Sequence, residues 1–84
     1  MRGEYVIVRA YNDRPFLRRV WEFNKSIVFI TDDSQYGLLE AGEKALEPLG
    51  CPRKDVFKHN PKLTPVMEKL FLTGKWDWNK LIPY

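Results

Sequence analysis

Three residues with reactive side chains recur at every fourth position near the middle of the chain: Cys51, Asp55 and His59. On a helix they would share a face, where thiolate, carboxylate and imidazole could hold a metal or serve as nucleophile, orienter and base. The intervening Val56-Phe57 is strand-like, however, and along a strand the three would not converge. A zinc site would also want a fourth ligand, and there is no second Cys or His to supply one. Cys51, between Gly50 and Pro52, reads instead as a small buried loop residue. Asp32, Asp33 and Glu40 lack the spacing of a calcium loop, which alternates oxygen ligands around a fixed glycine. They read as a solvated acidic turn. No glycine-rich phosphate loop and no nucleophile elbow is present. The residues therefore predict no catalytic group, no cofactor and no metal, and an enzyme centred on Cys51 ranks third among the functional readings.

Basic and aromatic residues give the better signal. Tyr5, Ile7, Arg9 and Tyr11 project to one side of an extended run, with Arg14, Arg18 and Arg19 in the turn and strand that follow. Tyrosines stack on bases and arginines contact phosphate, so this face could hold single-stranded nucleic acid. The competing expectation makes Tyr5 and Ile7 core residues, with Arg9 and Arg18 solvated or paired across strands with Glu4 or Glu22. Arg9, Tyr11, Arg14 and Arg18 are the expected contact residues. A protein partner is favoured over nucleic acid, because the charge excess is small and no RNA motif is present. A homodimer through exposed strand edges is also open. Trp76 and Trp78 read as core cover rather than as a ligand-binding pair.

The elements that must position these residues are mostly strands. Residues 4–11 are rich in β-branched and aromatic types, and Asn12-Asp13-Arg14-Pro15 makes a turn. Residues 16–23 and 26–32 flank Asn24-Lys25, a pair suited to a two-residue hairpin loop. That loop would set Glu22 opposite Ile27, Trp21 opposite Val28, Val20 opposite Phe29 and Arg19 opposite Ile30. One face then holds Val20, Ile27 and Phe29, and the other Leu17, Trp21, Phe23, Val28 and Ile30. Apolar residues on both faces require cover on both, which predicts one set inside a barrel and the other beneath a C-terminal helix. Tyr36–Glu40 reads as a short fourth strand. Residues 41–50 fit either a strand connection or a short helix, Pro48–Pro52 reads as a loop by its breakers, and residues 52–55 could form a single 3₁₀ turn. Val56–His59 then closes the set as a fifth strand. Five short strands with a 3₁₀ turn before the last is the order of elements in SH3-like barrels, an analogy of architecture only. In residues 61–84, Thr64, Pro65 and Gly74 punctuate a helix whose Val66, Met67, Leu70 and Phe71 share a face.

The expectation is thus a mainly β, five-stranded antiparallel SH3-like barrel over residues 1–60, followed by a short helix and aromatic tail over 61–84. Eighty-four residues make one domain, and a chain this short buries only about 60–65% of its unfolded surface. Twelve aromatic residues offset that small margin. A lone cysteine excludes an internal disulfide and favours a reducing, cytoplasmic setting. Neither a signal peptide nor a membrane-length apolar run is expected. The net charge of +3 is uneven: residues 31–50 hold five acidic groups against one basic, and residues 51–84 hold seven basic against three acidic. An acidic middle between basic ends is not the pattern of a uniformly basic nucleic-acid binder.

Overall fold

The computed structural model describes residues 3–31 and 49–84. Strands β1 (Tyr5–Arg9), β2 (Pro15–Phe23), β3 (Ile27–Thr31), β4 (Leu49–Pro52) and β5 (Val56–Lys58) form one antiparallel sheet in the order β4-β3-β2-β1-β5. A 3₁₀ turn at Arg53–Asp55 separates β4 from β5, as expected. A second one at Thr64–Val66 leads into helix α1 (Met67–Leu72). Gly74 follows with φ of 72°, the left-handed conformation anticipated just past the helix end. Thr64 does not cap that helix through its side chain; its hydroxyl donates to the Asn60 carbonyl at 2.9 Å.

The sheet is strongly rolled. β4 and β5 lie at opposite edges, yet only three residues join them. Five flat strands at the usual 4.7–4.9 Å spacing would put those edges about 19 Å apart, and the four peptide units from Pro52 to Val56 reach at most about 14 Å. Even so, the roll is not closed into a barrel, contrary to the sequence expectation. The backbone groups of β5 that face outward are taken by the chain's last residues. Lys58 N–H donates to the Ile82 carbonyl at 2.7 Å, and Tyr84 N–H donates to the Val56 carbonyl at 3.0 Å. The tail thus lies along the edge that closure would need.

Both sheet faces are covered, as the two-sided apolar pattern requires. Inside the roll Val6, Val8, Val20, Val28, Ile30, Cys51 and Val56 pack together, with Tyr84 against them. On the outer face Ile7, Phe57 and Leu81 are buried beneath Leu63, Met67, Trp76 and Trp78. The two tryptophans are therefore half-buried core cover.

Three local features differ from expectation. Asn24 pairs with Ile27, so the two-residue loop is Lys25-Ser26 and the register moves. The Asn24 side chain selects this turn, its Oδ1 accepting from the N–H groups of Ser26 (2.8 Å) and Ile27 (2.9 Å). Trp21 forms a bulge between Val20 and Glu22, which sets Val20 opposite Ile30 and places it on the inner face with Val28. Leu49–Pro52, expected as a loop, is an edge strand; edges tolerate proline, and Gly50 admits the Phe29 ring to 3.3 Å of where a Cβ would stand. The strand expected over residues 36–40 lies outside the described residues.

Candidate functional site

Alternate residues of a strand share a face, and Phe16 and Arg18 stand opposite Val8 and Val6 on β1. Arg14 precedes them in extended backbone. The Arg14 guanidinium carbon lies 5.4 Å from the centre of the Phe16 ring, and that of Arg18 lies 4.7 Å from it. Arg14 also lies 5.5 Å from the Phe71 ring on α1. Phe71, Arg14, Phe16 and Arg18 thus make a ladder of alternating ring and cation that ties β2 to the helix. The Arg18 Nη1 donates to the Leu17 carbonyl at 2.8 Å, which fixes its guanidinium. Arg14 Nη2 meets Glu68 Oε1 at 3.4 Å. Both partners of that pair are substantially solvated, and exposed pairs contribute only about 0–1 kcal/mol.

This ladder lines a groove of about 230 Å3 between β2 and α1, completed by Met67 and Glu68. Cofactor and drug-sized sites run to roughly 300–1,000 Å3, so the groove suits one or two side chains of a larger partner. Phe71 also lines a second recess, of about 220 Å3, with Asp13, Gly74, Trp76 and Trp78. A third, of about 440 Å3, lies among Glu4, Tyr5, Lys58, His59 and Tyr84. There the Tyr84 hydroxyl already donates to Glu4 and the wall holds both signs of charge, so it favours neither.

The four expected contact residues do not form one surface. Arg14 and Arg18 come together around Phe16. Arg9 lies on the opposite sheet face, its guanidinium 4.8 Å from the Trp78 ring and its Nε 3.3 Å from Asp13. Tyr11 lies on the turn joining β1 and β2, 88% exposed, followed by Asn12 and Asp13 at φ of 63° and 59°. Asparagine and aspartate tolerate that left-handed region better than other side chains, and the Asp13 carbonyl is anchored by the Trp78 indole N–H at 3.0 Å. Of the arginines expected to be solvated or paired across strands with Glu4 or Glu22, Arg9 meets Asp13 and Arg18 the Leu17 carbonyl, and each guanidinium also lies over a ring.

Phe16, Met67, Glu68 and Phe71 were not among the expected site residues. The alternation Arg14-x-Phe16-x-Arg18 was a readable signal for the first of them. Nothing local marks the helix residues, which join the groove only through tertiary packing.

Cys51, Asp55 and His59 fall on β4, on the 3₁₀ turn and beyond β5. Burial pushes the Cys51 thiol up, the Asp55 carboxylate adds to this, and Arg18 opposes it. That environment resists thiolate formation. His59 is exposed, its ring 6.2 Å from that of Tyr5. Among the described residues no cluster of three His, Cys, Asp or Glu side chains could hold a metal, and no helix is long and apolar enough to cross a membrane. Compared with protein families, curated proteins and solved structures, the chain matches none, so the reading of the site rests on its geometry.

Proposed function

We propose that the chain is a non-enzymatic binding module that docks an acidic segment of a protein partner in the groove between β2 and α1. The observation that supports this is the ladder itself. A guanidinium whose face lies over a ring keeps its N–H edges for acceptors, and edge-on donors suit carboxylates. The proposed architecture remains akin to the SH3-like barrels, unrolled at one seam, and the lone buried cysteine suits an intracellular setting.

The test is titration of isotopically labelled protein with a glutamate-rich peptide and with a single-stranded oligonucleotide, followed by NMR. The peptide is expected to shift resonances of residues 14–18 and 67–71, and an Arg14→Ala, Arg18→Ala double variant is expected to lose those shifts while keeping its far-UV spectrum. If the oligonucleotide binds more tightly than the peptide, with affinity falling steeply in salt, the groove belongs to a nucleic-acid partner instead.

A further inference from the structure

Resting on the groove as the docking place of an acidic segment, we infer that the segment is extended and carries two carboxylates on alternate residues, one replacing Glu68 on Arg14 and the other meeting Arg18. Glu68 marks the first position. Its carboxylate stands at Arg14 as a ligand's would, but at 3.4 Å and with 72% of its side chain exposed it is loosely held. Charge-assisted bonds of full strength are shorter, about 2.7–2.9 Å. Arg18 supplies the second position. It spends one donor on the Leu17 carbonyl, and among the described residues no carboxylate pairs with it.

The spacing follows from the ladder. Residues 14 and 18 are roughly 13 Å apart along an extended strand. Their guanidinium carbons lie 5.4 and 4.7 Å from one Phe16 centroid, which pinches the two cationic heads to within about 10 Å of each other, closer than their backbones. Acids four residues apart on an extended ligand overshoot that pinch. Acids on adjacent residues point to opposite faces. Acids on alternate residues share a face about 7 Å apart, within reach of both heads through their flexible side chains.

Three synthetic peptides of one composition decide this, with two glutamates adjacent, separated by one residue or separated by three. Each is titrated calorimetrically at low salt into the wild-type protein and into Glu68→Gln. The peptide with one intervening residue is expected to bind about two- to five-fold more tightly than the others, the weight of one exposed ion pair. Glu68→Gln is expected to tighten that peptide by a similar factor, a gain that no folding defect can imitate. Equal affinities for the three spacings, or no gain with Glu68→Gln, overturn the two-carboxylate arrangement and leave the groove reading standing. Failure of every peptide to bind either protein removes the groove reading as well.

Discussion

A guanidinium laid over an aromatic ring is the recurring contact of this molecule. Each arginine among the described residues has one: Arg9 on Trp78, Arg14 on Phe16 and Phe71, Arg18 on Phe16, Arg19 on Tyr5, and Arg53 on Phe23 and Tyr84. At exposed sites such contacts contribute about 0.5–1 kcal/mol each, so their main consequence is orientation. They turn flexible cations into aimed ones. Cys51 shows the opposite use of environment, since its thiol is buried and held in its neutral form. Iodoacetamide at neutral pH is therefore expected to label native protein far more slowly than urea-unfolded protein. Labelling of both at the rate of a free thiol would show that the inner face is open to reagent.

At the scale of elements, the tail shares the cover of the outer face with Met67 of the helix and adds to it a buried residue of its own. Leu81 is buried there, while its neighbour Ile82 is 63% exposed. Leu81→Ala is expected to cost about 2–5 kcal/mol in urea unfolding, and Ile82→Ala to be near neutral. Comparable losses at the two positions would mean that the tail is not anchored through Leu81. The same scale shows why some elements were legible in the sequence and others were not. Strands β1, β2, β3 and β5, the 3₁₀ turn before β5 and the helix ending before Gly74 follow from alternation, β-branching and punctuation, all of them local. The hairpin register did not follow, because the Asn24 side chain competes for backbone donors and Trp21 adds a residue to one strand. Leu49–Pro52 misled because glycine and proline signal a loop, whereas the Phe29 ring and an edge position make them tolerable in a strand. The groove was half legible: Arg14, Phe16 and Arg18 alternate in plain view, but only packing brings Glu68 and Phe71 to them.

The whole molecule is fastened along the seam that β4 and β5 leave open. Arg53, between those strands, donates from Nη1 to the Asn24 carbonyl at 2.7 Å and from Nε to the Tyr84 carbonyl at 3.1 Å. Its guanidinium lies over both Phe23 and Tyr84, whose rings meet edge to face. The Tyr84 hydroxyl donates to Glu4 at 2.5 Å, so one side chain joins the tail to the start of β1. Burial foremost, and then the bond to Glu4, push the Tyr84 phenol well above its ordinary value. A raised folded-state value favours the native state while the phenol is neutral. That contribution is whole below about pH 10, the ordinary tyrosine range, and is lost as pH climbs toward the folded value. Wild-type stability is expected to fall above about pH 10, and Tyr84→Phe to flatten part of that decline. An identical alkaline profile in the variant would remove Tyr84 from the account.

Because the seam is fastened by residues 81–84, its sealing has a place in time. β5 ends at Lys58, and at the usual 5–20 residues per second a ribosome needs about 1–5 s more to supply the tail. Until the tail has emerged and docked, the sheet lacks its seal, with the β5 edge unoccupied and Phe57 uncovered by Trp78. Crowded synthesis, more than the finished protein, is the stage at which this fold is most prone to pair with a neighbour.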